Sequence, residues 1–443
     1  MTDALSRRPL RSHLVSRGRC RSRRPVVPGL LSVLAAILAT ACGTATPVAP
    51  VSPGRLALTP VAGGLGVVPT HTGTPGPSPT PTRATTRVIP PLEPLTLPDG
   101  FGIGVFADQV GAVRHLAVAP NGDVFGSDAA LDRIVVLPDR DADGVADGVQ
   151  VFAEDPALGK PSGLAFSGDW LYVAGDDRIV RLPYRLGDTV ASGPPVQLVD
   201  LPAAGMQPGH GLAVGPDRGL YVSVPAGCNA CAETDPRRAA VLIFDLDGAN
   251  PRLSSTGVRA TIALAFHPRT RELWGADIGR EGLGDDLPPD EINRLVAGHF
   301  GWPMCHGRQR RDASVAADPG FCDGTIAPSI ELPAHSVPLG MVFYSGRQFP
   351  DDYSGDLFVA LHGSDNRRSI PTGYHVVRIP FDDGAPRGEV FDFVSGWLRP
   401  DTRRWGSPAG LAVAADGSLL IADDGGGRVY RVYYHAKKGD ESS

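Results

Sequence analysis

The run Asp139-Arg140-Asp141-Ala142-Asp143-Gly144-Val145-Ala146-Asp147 has the spacing of a cation loop. Acids at positions one, three, five and nine, with glycine at six, match the first part of an EF-hand-type loop. Asp139, Asp141, Asp143 and Asp147 would then offer carboxylate oxygens to Ca2+. Position twelve is Gln150 and not the bidentate glutamate, so an acidic turn between strands accounts for the same residues without an ion. The cysteines form a second chemical pattern. Cys228 and Cys231 make the chain's one C-x-x-C, and Cys305 and Cys322 lie seventeen residues apart. In an exported chain an even number of cysteines points to disulfides, and locality favours Cys228–Cys231 and Cys305–Cys322. A four-cysteine zinc site is the alternative, with only one C-x-x-C to support it.

Export is itself an expectation from the N-terminus. Eight arginines between Arg7 and Arg24 precede an apolar stretch from about Val26 to Ala41. That stretch is short for a membrane span. It ends in Leu38-Ala39-Thr40-Ala41-Cys42-Gly43, which is similar to a bacterial lipobox. Cleavage would leave Cys42 to carry lipid, with residues 1–41 removed as a signal. Residues 42–95 then read as a tether, because His71 to Thr82 is HTGTPGPSPTPT, without hydrophobic periodicity. Attachment would be through the lipid alone, at the cell surface or the periplasmic face. The whole chain carries a net charge of −6, and the leader carries eight Arg and one Asp, so its loss leaves about −13. Such an acidic protein repels nucleic acid.

Gly 55 and Pro 43 indicate a turn-rich, β-dominated body, and its repeats confirm the class. LAVAPNGDVFGSD begins at Leu116, LAFSGDWLYVAGD at Leu164 and LAVGPDRGLYVSV at Leu212. The pattern returns from Leu264, Met341 and Leu411. Each copy is an apolar strand, a Gly/Pro/Asp turn and a second strand, often followed by a third such as RIVVL or RVYRVYY. The first three starts are 48 residues apart, the length of a propeller blade. Six copies predict an all-β, six-bladed β-propeller over 96–436, with the LAV/LAF strands nearest the channel, and a disordered tail over 437–443. Long insertions are expected at about 281–330 and 362–374. Closure should join the strand near Phe101–Phe106 to the one near Tyr430–Tyr434, removing exposed sheet edges.

From Leu116 to Tyr434 the chain resembles the sorbosone dehydrogenase branch of the soluble, PQQ-dependent sugar dehydrogenases. The stretches that carry the resemblance include GPDRGLYVSVPAGCNACAETDPRRAAV, GLGDDLPPDEIN, HFGWPMC, AHSVPLGMVFYSGRQFPDDYSGDLFVALHGSDNR and SPAGLAVAADGSLLIADD. The resemblance implies a six-bladed propeller that binds PQQ and Ca2+ over its channel, oxidises a sugar or polyol, and passes electrons to an acceptor the sequence does not name.

Residue by residue, the implied site is incomplete. Arg259 stands where the family has a PQQ-contacting arginine, but the following asparagine is Ala260. The position of the catalytic histidine is Gln207, which cannot act as a base at neutral pH. His210, three residues on, is either a relocated base or a turn histidine. Ser407 replaces a cofactor-binding arginine, and Asp365 replaces a tryptophan. Gly279 and Arg280 match the turn whose carbonyls hold Ca2+ in the family, and Asp290 is one of the acids downstream that either hold a second calcium or cap the loop. His335, His362, Asn366 and Arg367 either bind a ligand or tie the inserted loops together. The expectation is a tethered sugar-dehydrogenase-like protein with a degenerate site. A non-catalytic propeller that binds carbohydrate or a protein partner at the cell surface is the alternative.

Overall fold

The computed structural model describes residues 86–435 except 204 and 208. Cys42, the signal, most of the tether and the last eight residues lie outside the described residues. Six sheets of four meandering strands follow one another along the chain. Blade 1 is Val113–Val118, Val124–Asp128, Arg133–Leu137 and Gln150–Glu154. Blade 2 begins at Leu164–Ser167, blade 3 at Leu212–Val214, blade 4 at Thr261–Phe266, blade 5 at Pro338–Phe343 and blade 6 at Pro408–Val413. These first strands adjoin one another in a ring, and together they line a central cavity of about 90 Å3. The LAV/LAF strands are therefore innermost, as the repeats predict.

Blade 6 takes its outermost strand, Phe101–Asp108, from the start of the fold. Phe101 pairs with Tyr434 and Val105 with Tyr430, which is the closure expected from the sequence. The Phe101 ring packs edge-on against Phe349 and Phe393, with centroids 4.8 and 5.0 Å away, so aromatic contact seals the joint as well as the ladder does. The packed chain starts earlier than residue 96. Ile89 accepts the Val105 N–H at 2.7 Å, and Thr96 bridges Ser395, so the end of the expected tether lies along blades 6 and 5.

The expected insertion over 281–330 is not one loop. Asp290–Arg294 is the third strand of blade 4 and divides it into 281–289 and 295–329. The second part sends Gly298–His299 to blade 3 as a fifth, parallel strand. The disulfide Cys305–Cys322 staples that part, and Cys228–Cys231 closes a short loop in blade 3, both as expected. Helical structure among the described residues is three short 3-10 turns, and none of these is long and apolar enough to cross a membrane.

Candidate functional site

Antiparallel meanders put the start of every innermost strand beside the end of the second strand, as Val113 beside Asp128 in blade 1. One end of the propeller is thus built from the lead-ins to the first strands and the turns after the second strands. Gln207, His210, Arg259, Gly279, Arg280, Asp290, His335, His362, Asn366 and Ser407 all fall at that end. The Asp139–Asp147 loop follows the third strand of blade 1 and lies at the opposite end, so the structure does not bring it to the others.

A repeated device shapes this end. Asp277, last residue of the second strand of blade 4, accepts the N–H groups of Arg259 and Ala260 at 2.9 and 2.6 Å and the Thr261 hydroxyl at 2.9 Å. Asp423 does the same in blade 6, taking the Ser407 N–H at 2.7 Å. Burial raises the pKa of both carboxyls against these hydrogen bonds. Each aspartate fixes the lead-in of its own blade, and Ser407 is buried in the lead-in of blade 6.

Arg259 is buried and its guanidinium is spent. Nε and Nη2 donate to the carbonyl and side-chain oxygens of Asn229 at 3.3 and 3.1 Å, and Nη1 donates to the carbonyls of Ile278 and Gly279 at 3.2 and 3.1 Å. Burial lowers its pKa in spite of Asp277 nearby. The Gly279 carbonyl proposed for calcium therefore already serves a cation. Arg280 turns to Asp312, 2.9 Å away. Asp290 is also internal: it accepts from Gly279 N at 2.8 Å, Ser336 Oγ at 3.0 Å and Val337 N at 2.7 Å, joining blade 4 to blade 5, and burial pushes its pKa up to about 6. A divalent ion on this turn would face guanidinium hydrogens, and the residues do not fit Ca2+ there.

His210 is completely buried, with Nδ1 2.9 Å from the Ser223 carbonyl and Nε2 3.1 Å from that of Asp176. Burial lowers its pKa. With both nitrogens turned to the backbone it is a packing histidine and not a base for an outside substrate. Gln207 is half-buried, with no hydrogen bond recorded among the described residues.

His335, Asn366 and Arg367 lie where the blade 5 insertion meets the 281–286 loop. His335 Nε2 faces the Gly284 carbonyl at 2.9 Å, Asn366 Nδ2 donates to Glu281 at 2.9 Å, and Arg367 donates to Asp286 at 3.0 Å. Between the two loops is a cleft of about 450 Å3 lined by Glu281, His335, Asn366 and Arg368. These residues tie loops and line a cleft at once.

One constellation is absent from the sequence reading. His362 Nε2 lies 2.9 Å from Asp424 Oδ1, and Arg114 Nε donates to Asp424 Oδ2 at 2.7 Å. The chain links blades 5, 6 and 1 at the channel rim, since Arg114 precedes His115 and Leu116, which line the channel. Burial opposes ionisation of Asp424, yet hydrogen bonds and charge from His362 and Arg114 hold its pKa below the ordinary value. His362 Nδ1 faces the Gly363 carbonyl at 3.0 Å, so both ring nitrogens are turned to acceptors. Arg114 keeps 43% of its side chain exposed and donates to Asp424 through one nitrogen. This corner can receive a carboxylate or hydroxyl oxygen.

Comparison with known proteins agrees with the fold. Residues 201–366 match the glucose/sorbosone dehydrogenase family model, and residues 306–435 match a TrAA12-like model. A Borreliella burgdorferi protein described as uncharacterized is 29% identical over 354 residues, covering 77% of this chain and 91% of that protein. Among solved structures, the calcium structure of the Trichoderma reesei AA12 enzyme superposes with a TM-score of 0.67 at 16% identity, covering 80% of this chain and 99% of that one. The holo PQQ domain of Coprinopsis cinerea pyranose dehydrogenase gives 0.65 at 18% identity, with 79% and 100% covered. The PQQ-bound aldose sugar dehydrogenase of Streptomyces coelicolor gives 0.55 at 20% identity, with 76% and 99% covered. The resemblance to glucose/sorbosone dehydrogenases read from the sequence holds over residues 201–366, and the chain shares the propeller fold of these solved structures.

Proposed function

We propose that this chain is a lipid-anchored, extracytoplasmic propeller of the sugar oxidoreductase type that takes a sugar or polyol at its ligand end and oxidises it weakly with PQQ. The Arg114–Asp424–His362 chain carries the reading, because it places an exposed guanidinium beside an imidazole at the rim of the channel. The family match and the PQQ-binding structural neighbours support the class of reaction.

The donor set fits PQQ poorly. Three carboxylates meet one exposed guanidinium and one imidazole, while Arg259 has four of its five N–H groups committed to the protein. Gln207 supplies no base, and a positioned base contributes about a hundredfold to ten-thousandfold in rate. Ser407 supplies no charge. A non-catalytic carbohydrate-binding role is the second reading, and the burial of His210 favours it.

Purified full chain titrated with PQQ, with and without Ca2+, should give a small bound-quinone absorbance change and slow dye-linked oxidation of aldoses or polyols. Brisk oxidation would contradict the degenerate site. Sugar binding with no quinone signal would favour the non-catalytic reading. Incorporation of labelled palmitate, lost in Cys42→Ser, tests the anchor.

A further inference from the structure

The C-x-x-C loop sits at the ligand end, and Asn229, one of the two residues between its cysteines, holds Arg259. Asn229 makes five hydrogen bonds that leave its own loop. Its carbonyl accepts from Arg259 Nε at 3.3 Å and from Trp302 Nε1 at 3.2 Å. Its side-chain oxygen accepts from Arg259 Nη2 at 3.1 Å and from the Glu281 N–H at 2.9 Å, and its side-chain nitrogen donates to the Glu281 carbonyl at 2.9 Å. One residue, through its backbone carbonyl and its side-chain amide, thus joins blade 3, the blade 4 turn and the inserted loop carrying Trp302. Asn229 presents both its carbonyl and its amide in these directions from within the short ring closed by the Cys228–Cys231 disulfide.

The two disulfides differ in access. Cys305 and Cys322 are 4% and 7% exposed, whereas Cys231 lies on the surface and Cys228 is half-buried. A soluble thiolate can reach the second pair and not the first.

We propose that Cys228–Cys231 is a thiol–disulfide exchange site whose redox state sets the position of Arg259, through Asn229. An external dithiol supplies two electrons and two protons. Its thiolate attacks the exposed Cys231 sulfur, the Cys228–Cys231 bond breaks, and the mixed disulfide is resolved by the reductant's second thiol. The products are two cysteine thiols and the oxidised, cyclic reductant. Opening the ring releases Asn229, and Arg259 keeps only the Ile278 and Gly279 carbonyls. The guanidinium then becomes available at the ligand end, so reduction restores a cation the oxidised site withholds. This goes beyond the proposed oxidation of a sugar and stands without it.

The test uses the native full chain, a stepwise dithiothreitol titration, maleimide trapping and mass mapping. Phenylglyoxal labelling of Arg259 and Trp302 emission are read at each step, the latter against a Trp302→Phe control. Cys228 and Cys231 should be trapped first, with Cys305–Cys322 intact, and Arg259 labelling should rise severalfold in step. The Cys228→Ser/Cys231→Ser chain should show the raised labelling without reductant. Asn229→Ala should show it with the disulfide intact, and Asn229→Asp, which keeps the acceptor oxygen, should not. Unchanged Arg259 labelling in the reduced chain and in the double variant would overturn the proposal, as would simultaneous opening of both disulfides. PQQ and sugar play no part in these readouts, so failure of the proposed activity leaves them intact.

Discussion

Two arginines at the same end of the propeller have opposite fates. Arg259, between blades 3 and 4, is 2% exposed and its guanidinium donates to four oxygens of Asn229, Ile278 and Gly279. Arg114, at the junction of blades 6 and 1, is held by one carboxylate and keeps 43% of its side chain in solvent. A motif match picks out Arg259, because its place in the sequence is the family's. Its chemistry is nonetheless internal, since a cation with four of its five N–H groups engaged by its own fold has little to offer a ligand. Arg114 has no motif around it and retains that capacity.

The largest effect expected from this contrast is on stability. Arg259→Ala leaves Asp277 without its nearby cation and the Ile278 and Gly279 carbonyls without their donor, and should cost about 3–5 kcal/mol in urea unfolding. Arg114→Ala should cost less than about 1 kcal/mol, because the pair is partly solvated and Asp424 keeps His362. Equal costs would dissolve the distinction between the corners.

A second effect belongs to the buried carboxyls behind Arg259. Burial and the neighbouring Asp277 push Glu291 up to about 8. A raised folded-state value means that the folded protein holds its proton more tightly than the unfolded chain. The associated stability is present in full below the unfolded value, about 4.3, and is lost as pH rises through about 8. Glu291→Gln should therefore match the parent near pH 4 and exceed it near pH 8, by roughly 1–3 kcal/mol. Parallel stability curves from pH 4 to 9 would show that the carboxyl ionises freely.

The sequence made the frame legible and the site only in part. Repeats 48 residues apart carry blade number and inner-strand identity, because each blade must bury the same faces. Closure was legible because an unpaired edge near Phe101 needs a partner. The Arg114–Asp424 pair was not, because 310 residues separate its members and only closure of the ring brings them together. Asp290 read as a metal ligand because acids cluster there. Its partners, Gly279, Ser336 and Val337, come from loops whose meeting no local pattern announces. His210 likewise carries no sign of its burial, which depends on the carbonyls of Ser223, in the second strand of blade 3, and Asp176, in a turn of blade 2.

The smallest effect concerns the opposite end. The carboxylate oxygens of Asp139, Asp141 and Asp143 lie within 4.8 Å of one another, and the Asp143 carbonyl accepts the Arg87 N–H at 2.8 Å. The spacing suits a Ca2+ ion in a way the Gly279 turn does not. Millimolar Ca2+ should raise the melting temperature by a few degrees, corresponding to about 1–2 kcal/mol, and Asp141→Ala should abolish the rise. A rise that survives Asp141→Ala would move the ion elsewhere.

The central claim is that recognition resides in the Arg114–Asp424–His362 corner. The most direct measurement is PQQ absorbance titration of the parent, Arg114→Ala and Gln207→His chains, with dye-linked sugar oxidation alongside. Loss of a charged hydrogen bond at Arg114 should weaken quinone binding about tenfold or more, with the fold intact by circular dichroism. Gln207→His should leave binding unchanged and raise oxidation by restoring a base at the ligand end. Binding that is indifferent to Arg114→Ala would contradict the account and return the site to the corner of Arg259.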